Sequence, residues 1–359
     1  MTLTESLPRI AVVGVSTLVG EAVLDELRAR KFPHSELHAL DDERQVGRPV
    51  AADEVEEKSK TLKVVPVTGF DFSRINLAFF CAGSAIAEAY AEAAAARAWV
   101  VDCSAAFRGR KDVPLIVADV NAGVLADRIG VASGTAVAGY ASHGLIALPG
   151  SASVALATVL APLHGVAGLL RADVATYQAV SGRGRGAMDE LAGETVAMLS
   201  GKKARGRAFG RQIAFNVIPQ VDGLDADGVS REERRLWEET RRVLGIAHLA
   251  INATAVRVPV FFGHSFCIHA TFERSITPAQ ATLALQGAKG ISVIDPESAA
   301  EFPTPATLAM APDKVYVGRL RADPTRDRAL NFWIVADNVR KCAAHNAVSV
   351  GQILVNSPR

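Results

Sequence analysis

The sequence predicts an α/β protein with an N-terminal Rossmann-like, doubly wound parallel sheet and a second α+β domain. Three observations carry this expectation. Short apolar runs alternate with helical patterns through the first hundred residues, the rhythm of β-α-β units. A glycine turn, Gly14-Val-Ser-Thr-Leu-Val-Gly20, joins the first strand to the first helix, as in dinucleotide-binding units. The second half instead holds long alternating strands, which suit a mixed or antiparallel sheet.

The elements follow in order. Arg9–Val13 reads as a buried strand that Gly14 ends, and Val23, Leu24 and Leu27 lie at helical spacing over 21–31. The glycine fingerprint is incomplete, because Thr17 stands where the middle glycine normally lets the backbone approach a pyrophosphate. A plain β-α turn therefore remains an alternative to a cofactor turn. Leu37–Leu40 is the second strand, and it runs into Asp41-Asp-Glu-Arg44. An acid at this place suits the ribose hydroxyls of NAD and an arginine suits the phosphate of NADP; here both are present, and the acids oppose a 2′-phosphate. Strands at Leu77–Phe80 and Trp99–Val101 flank an alanine-rich helix over 84–97.

Past residue 133 the pattern changes. A helical segment at Ser153–Leu163 precedes a strand at Val174–Gln178, a glycine-rich turn over 181–186 and a helix at Ala187–Leu199. Strands are expected at Ile213–Val217, Ala253–Phe262, Ser265–Phe272, Val315–Leu320 and Asn331–Val335. A charged helix spans Arg231–Leu244, and Asn338–Val355 reads as a closing helix.

Composition narrows the classes. With 359 residues, 49% hydrophobic and 21% charged, the chain is an ordinary globular protein long enough for two domains. A net charge of +1 gives no global attraction to nucleic acid or an anionic membrane. The basic run Arg183, Arg185, Lys202, Lys203, Arg205, Arg207 and Arg211 reads as a solvated loop. Residues 1–6 show neither a basic nor an apolar signal region, and no apolar stretch reaches the roughly 18 residues of a membrane span. Cys81, Cys103, Cys267 and Cys342 are widely spaced without a C-x-x-C pair, so they read as free thiols of a cytoplasmic protein.

The chemistry is expected around Pro149-Gly150-Ser151, where an apolar run ends and a helical segment opens. Ser151 there is either an N-cap or a nucleophile's seat, because a helix N-terminus stabilises negative charge. Four other polar residues stand out. Gln178 ends a strand, Arg257 lies in an alternating strand, His264 falls at a strand junction, and Arg108 follows the last Rossmann-like strand. Each has an ordinary structural reading. Together they join a carboxylate-binding arginine and a proton-moving histidine to a dinucleotide fold.

Along nearly its whole length the chain resembles the aspartate-semialdehyde dehydrogenase family. The carriers are 176–182 (TYQAVSG), 253–260 (ATAVRVPV) with His264-Ser265, 119–121 (DVN), 213–216 (IAFN), 316–319 (YVGR) and 337–344 (DNVRKCAA). The resemblance implies a homodimer that reversibly converts aspartyl phosphate to aspartate semialdehyde with NADP or NAD. It implies a dinucleotide-binding domain at 1–133, completed by 338–359, and a catalytic/dimerisation domain at 134–337. In the family a cysteine attacks the acyl group and a histidine serves as acid and base. By position His264 matches that histidine and Gln178 the glutamine that orients the acyl group. For the small anionic substrate, Arg257 matches the carboxylate-binding arginine and Arg108 the phosphate-binding one. Glu232 and Arg235 fall where the family has a substrate-binding Glu and Lys. Gly14, Thr17, Val19, Gly20, Arg44 and Asn338 fall at cofactor-binding positions.

The departures concern the chemistry. Gly150-Ser-Ala-Ser153 stands where the family reads Asn-Cys-Ser-Thr, so Ser151 holds the nucleophile's position. Thr17, Asp41, Asp42, Glu43, Cys342 and Phe266 also depart from the family pattern. These features resemble a divergent paralogue branch. A serine hydroxyl is far less acidic than a thiol and would yield an ester in place of a thioester. Neither Cys267 nor Cys103 is placed to substitute. Lost or strongly reduced activity is therefore expected, with Ser151 capping a helix. Two alternatives remain: a reductase of a related acyl phosphate such as N-acetyl-glutamyl phosphate, whose Pro-Gly-Cys turn Pro149-Gly-Ser151 resembles, and a non-catalytic regulatory dimer.

Overall fold

The computed structural model describes residues 7–53, 60–125, 143–204, 206–294, 301–310 and 312–356. The chain divides into two compact units, Met1–Pro149 with Ala343–Arg359, and Gly150–Cys342. The boundary expected near residue 133 lies outside the described residues, as does Arg205 of the basic run. The first unit reaches Pro149 because the apolar run before it is a further strand of the first sheet.

The first unit is built from β1 (Arg9–Val13), α1 (Leu18–Ala29), β2 (Glu36–Asp41), a hairpin of β3 (Pro49–Asp53) and β4 (Lys60–Lys63), and β5 (Val65–Pro66). It continues with β6 (Leu77–Phe80), α2 (Ser84–Ala95), β7 (Trp99–Asp102), α3 (Ala118–Asn121) and β8 (Gly144–Ala147). Six strands form one parallel sheet in the order β5-β2-β1-β6-β7-β8. Side chains alternate across it, as a strand requires. Ile10, Val12, Leu77, Phe79, Trp99 and Val101 share a core with Val23, Leu24 and Leu27 of α1. Ala11, Val13, Ala78, Phe80 and Val100 are also fully buried, so both faces are covered, as parallel sheets demand.

The second unit opens with α4 (Ser151–Ala167), β9 (Leu169–Gln178), α5 (Arg185–Leu199) and α6 (Arg231–Leu244). It continues with β10 (Ala250–Arg257), β11 (His264–Phe272), α7 (Pro278–Gln286), β12 (Ile291–Val293), β13 (Val315–Ala322) and β14 (Ala329–Ala336). The mixed sheet runs β10-β9-β11-β14-β13-β12. Only its two end pairs, β10 with β9 and β12 with β13, are parallel. Helix α6 shows why the charged stretch folds as expected. Ser230 and Glu233 form a reciprocal capping box, and Gly245 ends the helix at φ +70°. The closing α8 (Asn346–Asn356) returns to the first unit, where Ala347, Val348, Val350 and Leu354 enter the α1 core.

Three expectations need correction. Ile213–Val217 is not a strand: Glu194 accepts the Ile213 and Ala214 N–H groups, and Phe215 turns the chain at φ +57°. The stretch from Asn338 is not one regular helix. The Asp337 carboxylate accepts the Val339 and Arg340 N–H groups, a wide π-type turn covers Arg340–His345, and α-geometry starts at Asn346. Ser151 is not the cap of α4. Gly150 holds that place, and no side chain caps the helix.

Candidate active site

The strand ends of the second unit gather four of the expected residues. Arg257 at the end of β10 is in register with Gln178 at the end of β9, and His264 opens β11 on the other side of β9. All three are at least 95% buried, with exposures of 5%, 3% and 2%. The Gln178 amide donates to Glu232 Oε1 on α6 at 3.0 Å. The Arg257 guanidinium donates to the Ala179 carbonyl at 2.6 Å and lies 5.8 Å from the Phe209 ring centre. One residue thus holds two groups, because the Ala179 N–H donates to His264 Nδ1 at 3.2 Å.

That bond sets the histidine's chemistry. With Nδ1 accepting, the neutral ring carries its proton on Nε2 and presents a donor there. Burial, reinforced by the Arg257 charge, pushes His264 down to about 3, so the ring is neutral near pH 7. Burial also brings Arg257 down to about 10, against the pull of the Glu232 carboxylate; it stays charged at neutral pH. Gly182 borders both groups. A methyl group there would lie 3.3 Å from Arg257 Nη1 and 3.6 Å from His264 Cε1.

Arg235, one turn beyond Glu232, is ion-paired with Asp222 and is not part of the Gln178 cluster's hydrogen bonds. Asn338 brackets the histidine strand: its Oδ1 accepts the Gly263 N–H at 3.0 Å, and its amide donates to Ser181 at 3.0 Å. Its polar atoms are therefore spent on the turns before α5 and β11. Ser151 lies at the first position of α4 and is half-buried. Its hydroxyl has no hydrogen-bond partner among the described residues. The turn itself is fixed, because buried Glu239 accepts the Gly150 N–H at 2.7 Å.

In the first unit, Arg108 donates to the carbonyls of Leu148 and Cys103, both at 2.8 Å. The glycine turn has the form a dinucleotide needs. Gly14 adopts φ +85°, and a Cβ at Gly20 would collide with the Gly14 carbonyl. Thr17 replaces the missing glycine by capping α1. Its hydroxyl accepts the Gly20 N–H at 2.9 Å and donates to the carbonyls of Gly14 and Cys81. The N–H groups of Leu18 and Val19 have no protein partner among the described residues, which leaves two donors at a helix N-terminus for a phosphate. Asp41 is buried and accepts the Ser16 and Asp42 N–H groups at 2.8 Å each, while exposed Arg44 is paired with Asp42 at 2.7 Å.

Sequence reasoning missed Glu239, Gly182, Phe209 and Asp222. Two of these left a signal. Glu239 is seven residues beyond Glu232, hence on the same face of a helix, and Gly182 closes the 176–182 motif.

A parallel dinucleotide-type sheet and a buried Arg–Gln–His cluster on a mixed sheet define a two-domain oxidoreductase fold. Residues 9–128 match the semialdehyde dehydrogenase NAD-binding domain, and residues 160–341 match the semialdehyde dehydrogenase dimerisation domain. An aspartate-semialdehyde dehydrogenase of Legionella pneumophila is 38% identical over 346 residues, covering 96% of this chain and 95% of that protein. Its counterpart from Aquifex aeolicus is 36% identical over 349 residues, covering 97% and 98%. The crystal structure of aspartate semialdehyde dehydrogenase II from Vibrio cholerae superposes with a TM-score of 0.89 at 35% identity, over 99% of this chain and all of that one. The chain belongs to the aspartate-semialdehyde dehydrogenase family.

Proposed function

We propose that this protein is a homodimeric, dinucleotide-binding member of the family that binds a small anionic substrate and has strongly reduced dehydrogenase activity. The observation that carries the reading is that Ser151 holds the nucleophile's position at the start of α4 while His264 Nδ1 is already taken by the Ala179 N–H. A serine needs a base to become a nucleophile. His264 offers Nε2–H, because Nδ1 is engaged by the Ala179 N–H. Taking a proton at Nε2 would either charge a ring pushed down to about 3 or require the other tautomer, which orphans that buried N–H. The helix N-terminus at Ser151 favours an anion, but no group among the described residues is hydrogen-bonded to the hydroxyl to accept its proton.

Binding functions persist in this reading. Arg257, held flat by Phe209 and Ala179, grips a carboxylate in the bidentate manner of a guanidinium. Gln178 and Glu232 orient the substrate's polar groups, and His264 Nε2–H donates to its acyl oxygen. Arg108 takes the phosphate and Arg235 assists when Asp222 releases it. Gly14, Thr17, Val19 and Gly20 fit a pyrophosphate at α1, and Asp41 with Arg44 lies by the ribose. A bound nicotinamide dinucleotide supplies the hydride chemistry of the family reaction. Asn338 acts as a brace for the histidine strand. Self-association is supported by the sheet face away from α4, where Tyr177 and Trp333 rings lie 5.5 Å apart and only half-buried. The free thiols support a reducing, cytoplasmic setting.

The test is turnover of aspartate semialdehyde with phosphate and NAD or NADP. Expected turnover lies about 10³-fold or more below that of the Ser151→Cys variant. Turnover at an ordinary enzyme's level that Ser151→Ala abolishes would sink the proposal.

A further inference from the structure

Cys81 and Cys103 sit side by side on the sheet of the first unit. Each follows a strand end by one residue, and the last paired residues of those strands are Phe80 and Asp102. The Cys103 N–H continues the ladder to the Phe80 carbonyl at 2.9 Å. Neighbouring strands are about 4.8 Å apart, within the roughly 4.4–6.8 Å between Cα atoms that a disulfide spans. The register also points both side chains to one face. Cys81 belongs to the α1 core and Cys103 packs against it, and the neighbouring Cys103 thiol, together with burial, pushes the Cys81 thiol up. Cys81 is 7% exposed, whereas Cys103 is more open.

Their peptide groups hold two binding elements. The Cys81 carbonyl accepts the Thr17 hydroxyl of the glycine turn at 3.1 Å, and the Cys103 carbonyl accepts Arg108 at 2.8 Å. A covalent link between the thiols therefore acts on both at once.

We propose that Cys81 and Cys103 form a reversible disulfide that lowers dinucleotide affinity. The oxidant is a hydroperoxide. The more open Cys103 attacks the peroxide, its sulfur becoming a sulfenic acid and the peroxide leaving as water. Cys81 then attacks the Cys103 sulfur, the S–S bond forms and a second water leaves. In sum, two thiols and one hydrogen peroxide give one disulfide and two waters. A dithiol reverses the step by exchange. The site's role, though not its chemistry, rests on the dinucleotide reading above.

The test treats the full-length protein with stoichiometric hydrogen peroxide, maps linked peptides by mass spectrometry, and titrates NAD and NADP before and after. The expected result is a peptide pair joined through Cys81 and Cys103, lost in Cys81→Ser and Cys103→Ser, retained in Cys267→Ser, and reversed by dithiothreitol. Dinucleotide affinity is expected to fall roughly tenfold in the linked form. Peroxide consumption without that linked pair overturns the site, and a linked form with unchanged affinity overturns its regulatory role. If neither form binds a dinucleotide, the cofactor reading and the regulatory role both fail, while the linked pair is still scored by mass alone.

Discussion

The strand-end cluster and the start of α4 are built to different standards. Around Arg257, Gln178 and His264 the side chains are held by backbone or by Glu232, and all three are buried. At Ser151 the backbone is equally well held, through Glu239 and Gly150, yet the side chain has no hydrogen-bond partner among the described residues. A site kept for binding requires the first kind of order. A site kept for attack also requires the second region to hold a nucleophile and its base. In the reading proposed above, the contrast separates recognition from reaction.

The sharpest way to break the contrast is to restore the attacking group. Ser151→Cys is expected to raise turnover of aspartate semialdehyde by about 10³-fold, some 4 kcal/mol of barrier, because a thiol at a helix N-terminus ionises without a strong base. Unchanged turnover, with the dinucleotide bound, would place the defect elsewhere than at residue 151.

Arg257→Ala attacks the binding half. It removes the proposed carboxylate partner and leaves the buried Ala179 carbonyl with only the longer bond from the Gly182 N–H. Substrate affinity is expected to drop by about 10²-fold, or close to 3 kcal/mol. Calorimetric titration with aspartate semialdehyde checks this without needing catalysis, and an unaltered affinity would remove Arg257 from the pocket.

Acid should weaken the cluster through His264. Its folded-state value of about 3 is depressed from the usual 6.5, so the contribution is fully present above about pH 6.5 and disappears as pH falls toward 3. Between pH 7 and pH 5 the loss is about 2 kcal/mol. Urea unfolding at the two pH values measures it, and His264→Asn should flatten the difference. An equal slope in that variant would assign the acid sensitivity to other groups.

Gly182→Ala tests the cluster more gently. The added methyl meets Arg257 Nη1 at 3.3 Å, tighter than comfortable contact, and should cost about 1 kcal/mol in stability or in ligand binding. The effect should be absent in an Arg257→Ala background, where the neighbour is gone; persistence there would assign it to helix propensity.

The fold was more legible than the site, for a physical reason. Periodicity reports burial, so Leu77–Phe80 and Arg231–Leu244 fall where the pattern puts them. Ile213–Val217 failed because its apolar residues suggested a ladder while the Glu194 carboxylate, distant in sequence, claims its N–H groups. The same limit governs the cluster. Gln178, Arg257 and His264 stand out by residue type and place, but the link between Arg257 and His264 through Ala179 depends on strand ends meeting. The expectation of a cap at Ser151 rests on serine's preference for that role. The turn is one residue earlier, and Gly150 takes the place.

The smallest effect is expected at residues 41–44, which follow the proposed cofactor turn. Arg44 is exposed and its guanidinium faces the Asp42 carboxylate at 2.7 Å. The hydrogen bond from Arg44 holds Asp42 below the usual carboxylate range, so the pair is intact at neutral pH. A 2′-phosphate must displace that carboxylate before Arg44 can bind it, whereas a 2′-hydroxyl need not. The protein should therefore favour NAD over NADP, and Asp42→Asn should tighten NADP roughly fivefold with little change for NAD. The gain is small because exposed ion pairs are weak and screened by salt. Raising the salt concentration should shrink the difference between wild type and variant. A variant that tightens both dinucleotides equally would show that Asp42 acts on the turn as a whole and not on the phosphate.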